Sequence, residues 1–596
     1  MLVHELLQRC ARLWPDDIAL IDTHRRFTWR QLTERVQRVE QWMQRHGVRP
    51  GDRVLCSAPS DALVVLALWA TLSRAAVFVP VHPNLTDSQI RELVADCSPT
   101  LVIGCHPSGA GHSTDSAAHQ PDYSPGPPIH KSTIPAPAAD QPATAGAATC
   151  APATCASATC APAIVATWDE IALVAEQPTT ESANTPPTTA AATNPQAAGS
   201  TTQLAAKPSS CTPDALGLLI YTSGSTGKPH GVMSPHSCIL SAVQAIADTL
   251  MYTHSDVILC RLPLAFDYGL YQIFLAAWSG ARIVLADPQY DIKLLDLIRR
   301  EHISVIPLVP ALAHMLLTLS RNRAIPAPVR LLTNTGARMP AEIMKQLLAL
   351  LPGAEFASMY GMTECKRISI LPPSEWTAHP ESVGRALPGT RIRIIAADGT
   401  ARPVGQPGEI VVSGPTVMAG YWNVPMSTQQ RFVPTPDGSL ELHTGDQGYL
   451  DAEDRLYFLG RDDDLIKRRG IRLSVYDIET TAEQISDLDT AIVPRPASED
   501  ADLTLFYTGT VDPARVAEHL GIELDPARQP DRIVRLTDVP LTPNGKPDRT
   551  RLHSAPIAQE YHAPHGSRPH ANASRPPDAK ADVPADRAPK ALASSV

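Results

Sequence analysis

Residues 221–232 read Tyr-Thr-Ser-Gly-Ser-Thr-Gly-Lys-Pro-His-Gly-Val and follow directly on the apolar run Leu216 to Ile220. The stretch constrains the fold sharply, because a strand must deliver its end to a place where an anion can sit. Gly224, Gly227 and Gly231 permit backbone conformations and close approaches that a Cβ forbids. Thr222, Ser223, Ser225, Thr226 and the loop N–H groups can donate to phosphate oxygens, with Lys228 beside them. Only two residues separate Gly224 from Gly227, and Lys228 precedes proline rather than a magnesium-binding Ser or Thr, so this is not a Walker loop. Taken alone, the stretch fits either a phosphate cradle or an ordinary Ser/Gly-rich surface turn.

At 596 residues the chain is too long for one core, and two or more domains are expected. A formal net charge of -10 argues against a surface that coats nucleic acid or binds anionic membrane, both of which need a basic excess. Local sites for small anions remain open. The eleven cysteines are scattered, and the opening Met-Leu-Val-His-Glu lacks the basic and apolar regions of a secretory leader. The longest apolar run, Ala62 to Pro80, contains Arg74 and reads as a helix feeding a buried strand. A cytoplasmic protein without nucleic-acid or membrane partners is the expectation.

Two compositional breaks divide the chain. From about Pro107 to Cys211 it is dominated by Ala, Pro, Thr and Ser, too poor in large apolar residues to offset the entropy of ordering. One island there, Ala163 to Val174 with Trp168, can dock on the body. Cys150, Cys155 and Cys160 recur every five residues, which is not the two-residue spacing of zinc knuckles. A similar polar, Pro-rich composition returns after about His553. The expected division is therefore 1–106, the first part of a large domain; 107–211, a disordered insertion; 212–461, the remainder of that domain; 462–553, a small C-terminal domain; and 554–596, a disordered tail.

Within the body, Arg53 to Cys56, Ala76 to Val81, Leu101 to Gly104, Ser304 to Leu308 and Val329 to Thr333 alternate with helical patterns, the signature of α/β layers. From Arg391 onward short strands closed by turns predict a β-rich subdomain, and a short α+β module follows Arg461.

Further segments make little sense as packing and good sense around a nucleotide. Asn334-Thr335-Gly336-Ala337-Arg338 follows a strand, where a glycine lets a planar base lie on the backbone. Tyr360-Gly361-Met362-Thr363-Glu364 offers an aromatic face, a hydroxyl and a carboxylate suited to magnesium. His443-Thr444-Gly445-Asp446 presents an acid after a turn. Gly460 to Gly470 mixes charges where the small module begins, and Pro543-Asn544-Gly545-Lys546-Pro547 sets a lysine on a turn.

In this order and spacing the set resembles the adenylate-forming superfamily: acyl-CoA synthetases, nonribosomal-peptide adenylation domains and luciferase-like ligases. The resemblance covers nearly everything except the insertion and tail. It implies a large N-terminal domain of layered α/β sheets with a β-barrel-like subdomain, and a small mobile α+β C-terminal domain. It further implies that Thr222, Ser223, Gly224, Ser225, Thr226, Gly227 and Lys228 wrap ATP phosphates, and that Gly336, Ala337 and Tyr360 border adenine. Thr363 would meet the α-phosphate and Glu364 a magnesium ion, while Asp446 and Arg461 hold the ribose. Asp463 looks like a hinge, Lys467 belongs to thiolation, and Lys546 looks like the catalytic lysine. The implied acceptor is a phosphopantetheine thiol, on free coenzyme A or on a separate carrier protein, since no carrier-like segment with its modifiable serine is found. His230 departs from the pattern, standing where the family has a second lysine.

The substrate clue is Leu262 to Phe274, which resembles the Phe-Asp segment of amino-acid-activating domains and puts Asp267 in register with the aspartate that pairs with an α-ammonium. A helix cap is the alternative role for Asp267. Tyr268 and Gly269 depart from the amino-acid pattern, so amino acid and simple acyl acid both stand, as does a degenerate nucleotide-binding regulator.

Overall fold

A computed structural model of the chain describes residues 1–104, 163–177, 211–223, 229–321, 325, 327–436, 438–461, 465–468, 471–496, 501–526, 528–542 and 547–562. Two sheets share one continuous apolar core. The first has six strands in the order Ile164–Ala166, Leu101–Ile103, Arg53–Ser57, Val77–Val81, Leu216–Ser223 and Pro229–Pro235, parallel except for the last pair. Val77–Val81 is buried at every position, as a parallel strand covered on both faces requires. Helix Ala62–Ser73 is apolar all round and is buried from Ala62 to Leu72, consistent with a helix enclosed on all sides.

The nine-stranded second sheet runs Arg385–Ala386, Ser369–Ile370, Glu355–Tyr360, Leu331–Asn334, Val305–Leu308, Val257–Cys260, Arg282–Leu285, Ile18–Ile21 and Arg26–Thr28. Its central strands are parallel. Their carboxyl ends therefore point one way, where ligands of open α/β sheets collect. Helix Asp267–Ser279, Thr335 to Ala337 and the turn after Tyr360 all lie past those ends.

The island in the Ala/Pro/Thr-rich stretch is integral to the first sheet. Ile164–Ala166 pairs in parallel with Leu101–Ile103, and helix Trp168–Glu176 opens with a reciprocal Thr167/Glu170 capping box. The rest of that stretch, including Cys150, Cys155 and Cys160, lies outside the described residues.

From Arg391 onward the chain forms an antiparallel sheet of Arg391–Ile395, Gly408–Ser413, Leu440–Leu450 and Phe432–Pro434, with Leu456–Arg461 also paired to the long strand. Among the described strands no pairing joins Arg391–Ile395 to Phe432–Pro434 or Leu456–Arg461, so closure of the expected barrel-like subdomain is not seen among them. The turn expected at His443 to Asp446 is also absent, because these residues lie inside Leu440–Leu450. Gly445 at φ +69° and a register shift against Gly408–Ser413 kink the strand instead, which is why its sequence looks like a turn.

The small C-terminal domain is a four-stranded mixed sheet, Leu488–Ile492, Thr504–Gly509, Arg532–Leu536 and Ile557–His562, with helices Val475–Ala482 and Pro513–Glu523 on a core of its own. Its last strand lies beyond the boundary expected at 553. Its side chains are mostly exposed, so no apolar alternation marks it, and backbone pairing with an Arg532–Glu560 ion pair holds it. Among the described residues no helix is long and apolar enough to cross a membrane.

Candidate active site

The two strands that flank the phosphate-type loop are paired antiparallel. Leu216–Ser223 and Pro229–Pro235 pair down to Thr222 opposite His230 and Ser223 opposite Pro229, and Thr222 Oγ1 donates to His230 O at 3.4 Å. Gly224, Ser225, Thr226, Gly227 and Lys228 lie outside the described residues, as does the Ser223 side chain. The outgoing strand joins the segment that ends in Gly420-Tyr421-Trp422: Met233 N donates to Gly420 O at 2.9 Å and Trp422 N to Gly231 O at 2.8 Å. This pairing places the His230 ring 5.2 Å from that of Tyr421.

Tyr421 leads to the expected metal carboxylate. Its hydroxyl donates to Glu364 Oε1 at 2.7 Å, and Arg431 Nη1 lies 3.7 Å from the same oxygen. Glu364 is buried, on the turn that follows strand Glu355–Tyr360 together with half-buried Thr363. Gly361 is needed in this turn, because a Cβ there would stand 2.0 Å from Lys366 O.

Asp446 and Arg461 are cross-strand neighbours, and Arg461 Nε donates to Asp446 Oδ1 at 3.1 Å. Tyr360 Oη donates to Asp446 Oδ2 at 2.5 Å. Burial raises the Asp446 carboxyl above the usual range, and Arg461 and the Tyr360 hydroxyl oppose that shift. Arg431, 3.7 Å from Glu364, lies within the electrostatic reach of Asp446 as well. At the expected base-binding edge, Gly336 adopts φ +82° after strand Leu331–Asn334, and Ala337 is half-buried beside it.

Asp267 is buried at the first position of helix Asp267–Ser279, and Phe266 occupies the cap position without a side-chain cap bond. The helix-cap role is thereby set aside. Lys366 Nζ lies 3.9 Å from Asp267 Oδ2.

Asp463 and Lys546 lie outside the described residues. Lys467 belongs to strand Leu465–Arg468, paired with Ile471–Ser474, and its side chain is not described.

Sequence reasoning missed Arg431, the Tyr421 bond to Glu364, and the partners of Arg338. Arg338 Nη1 donates to Thr480 Oγ1 at 2.7 Å and lies 3.2 Å from Glu483 Oε2, joining the segment after strand Leu331–Asn334 to the C-terminal domain. Nothing local marks these residues, since their partners are distant in the chain. The tandem cations Lys366 and Arg367, buried just past Glu364 and Cys365 and followed by Ile368-Ser369-Ile370-Leu371, did leave a signal.

Layered sheets, a strand pair joined to the Gly420–Trp422 segment next to buried Glu364, and a small α+β domain together define the architecture of an adenylate-forming enzyme. The chain belongs to the AMP-binding enzyme family, whose model matches residues 7–422. It is 22% identical over 572 residues to polyketide synthase PksN of Bacillus subtilis, covering 93% of this chain and 9% of that protein. Phosphinothricin tripeptide synthetase PhsB of Streptomyces viridochromogenes is 25% identical over 594 residues, 96% of this chain and 43% of that protein. The chain spans less than half the length of these curated relatives. Among solved structures VinN is 31% identical with a TM-score of 0.58, covering 77% of this chain and 99% of VinN. ATP-bound MatB of Rhodopseudomonas palustris shares the fold at 21% identity and a TM-score of 0.71, covering 93% of this chain and 99% of MatB.

Proposed function

We propose that the protein activates a carboxylic acid, an amino acid in preference, by joining it to AMP and then passes the acyl group to a thiol. The observation that carries this reading is the linked set Tyr421–Glu364–Arg431–Asp446–Tyr360–Arg461 beside the strand pair that flanks the phosphate-type loop. It brings together two buried carboxylates, the cations Arg431 and Arg461, and the Tyr360 ring, whose hydroxyl is bonded to one of those carboxylates.

In the first step a carboxylate oxygen forms a bond to the α-phosphorus of ATP. The bond from that phosphorus to its bridging oxygen breaks, and pyrophosphate leaves with the electron pair. In the second step the thiol sulfur bonds to the acyl carbon, the carbon–oxygen bond of the mixed anhydride breaks, AMP departs and the thiol proton passes to solvent. Asp446 would accept ribose hydroxyls, with Arg461 holding it; Gly336, Ala337 and Tyr360 would border the base; Thr222 to Lys228 would wrap the phosphates. Thr363 would hold the α-phosphate and Lys546 would bridge acid and phosphate.

Glu364 fits a magnesium ion. It offers one hard oxygen donor, and among the described residues no group of three His, Cys, Asp or Glu could hold a metal without help. This matches an ion that takes one or two carboxylates and completes its shell with phosphate oxygens and water. When bound, magnesium would neutralise phosphate charge.

Reorientation of the C-terminal domain about Asp463 would exchange Lys546 for a thiolation surface that includes Lys467. The acceptor is a phosphopantetheine thiol, of free coenzyme A or of a carrier protein. Two observations favour an amino acid: Asp267 is buried without a capping role, and VinN has been solved with L-aspartate and with 3-methylaspartate.

The test is exchange of labelled pyrophosphate into ATP across a panel of amino and acyl acids, with exchange expected for at least one class. ATP binding without exchange on any acid would overturn the reading in favour of a nucleotide-binding regulator.

A further inference from the structure

Just past Glu364 and Cys365 the chain buries two cations, Lys366 and Arg367. Lys366 is a non-glycine residue at φ +60°, a left-handed conformation that costs free energy and persists only where the surroundings impose it. Its side chain is 2% exposed. Nζ has no hydrogen-bond partner among the described residues. It lies 5.3 Å from the centre of the Tyr271 ring and 3.9 Å from Asp267 Oδ2, near enough to attract and too far to hydrogen bond. Burial pulls its ammonium below the usual lysine range.

Arg367 is also buried, its guanidinium 4.8 Å over the Tyr268 ring. Nη1 donates to Lys366 O at 2.8 Å, while buried Nε has no partner among the described residues. A guanidinium has five N–H donors.

The charges do not close. Lys366 and Arg367 contribute two positive charges against one negative charge on Asp267, and Glu364 has Arg431 as its own counter-ion. Buried cations with unmade hydrogen bonds cost several kcal/mol in a finished core. A neutral or purely apolar acyl tail would leave that cost standing. An acid's reacting carboxylate cannot remove it either, because that group must face the α-phosphate.

We propose that the activated acid carries a second, non-reacting carboxylate held by Lys366 and Arg367 and an ammonium group held by Asp267, making it an amino-dicarboxylic acid. This rests on the adenylation reading above and names the substrate class of the same site. Tyr271 and Tyr268 wall the subsite with ring faces that hold the cations in place.

The test is pyrophosphate exchange with amino-dicarboxylic acids of three to six carbons, each paired with its side-chain amide, its des-amino diacid and the amino monoacid lacking one carboxylate. At least one amino-dicarboxylic acid is expected to exceed each of its three partners in kcat/KM, by roughly 10³-fold over the amide, because a site built for polar contacts rejects an analogue that leaves them unmade. Arg367→Leu and Lys366→Met are each expected to raise the KM for that acid by about 100-fold or more and to narrow its advantage over the amide. ATP binding by calorimetry should stay within threefold of wild type and reports that the variants fold. A monocarboxylic acid that matches or exceeds every diacid overturns the proposal and leaves adenylation standing. A des-amino diacid equal to its amino partner overturns the Asp267 assignment. Absence of exchange on every acid, with ATP bound, defeats the adenylation reading itself.

Discussion

Lys546→Ala is expected to abolish acid-dependent pyrophosphate exchange while ATP binding stays within a few-fold of wild type. The reaction forces two anions together, a carboxylate and the α-phosphate, and their repulsion rises as the oxygen–phosphorus distance shortens. A cation that bridges both contributes most when they are closest, so its removal acts on the transition state more than on binding. Loss of one such preorganised group costs about 10²–10³-fold in rate, and a bridging charge belongs at or beyond the upper end. Nucleotide binding should survive the substitution, because Tyr360, Asp446 and Arg461 are joined to one another without Lys546. The described residues on either side of Lys546, Leu541 and Pro547, pair in an antiparallel bridge, so the substitution leaves the local fold supported. Exchange within tenfold of wild type would remove Lys546 from the reaction.

The second large effect is expected for Glu364→Gln. Glutamine keeps the shape and an acceptor oxygen for the Tyr421 hydroxyl, now at 2.7 Å. It removes the charge opposite Arg431, at 3.7 Å, and the hard anionic donor proposed for magnesium. Two unit charges about 4 Å apart at an effective dielectric near 20 interact by about 4 kcal/mol, so the stranded Arg431 will draw in phosphate charge or solvent in its place. The expected outcome is a fall in exchange of about 10²–10³-fold, with part of the loss recovered at high magnesium concentration. The urea midpoint should move little, because Gln preserves the Tyr421 bond and Asp446 remains within reach of Arg431. Unchanged exchange at limiting magnesium would show that Glu364 has a structural role only.

Much of this site is legible in the order of the amino acids. The run Tyr221 to Val232, the Tyr360 to Glu364 segment and Asp446 with Arg461 each combine residue types that packing alone does not explain, and the last two prove to be linked groups. The buried strand after Ala62 to Ser73 and the island around Trp168 are equally visible, because continuous apolar runs and a Thr-Trp-Asp-Glu cap are local signals. What escapes depends on register between distant segments. Tyr360 and Asp446 meet across 86 residues and Tyr421 and Glu364 across 57, distances over which no periodicity carries information. Arg431 ends a short helix, Pro425–Arg431, whose polar sequence reads as surface. The strand nature of His443 to Asp446 is concealed by Gly445, which kinks a strand with the residue type that elsewhere ends one. Strand Ile557–His562 is held by backbone bonds at an edge, so its side chains have little need to announce it.

Isotope transfer distinguishes adenylation from other routes of acid activation. An acid labelled with ¹⁸O in both carboxylate oxygens is incubated with ATP, magnesium and a thiol acceptor, and the nucleotide product is weighed by mass spectrometry. If the carboxylate attacks the α-phosphorus and the thiol then breaks the carbon–oxygen bond, one labelled oxygen appears in AMP for each thioester formed. Unlabelled AMP, or ADP and phosphate in place of AMP and pyrophosphate, would contradict adenylation.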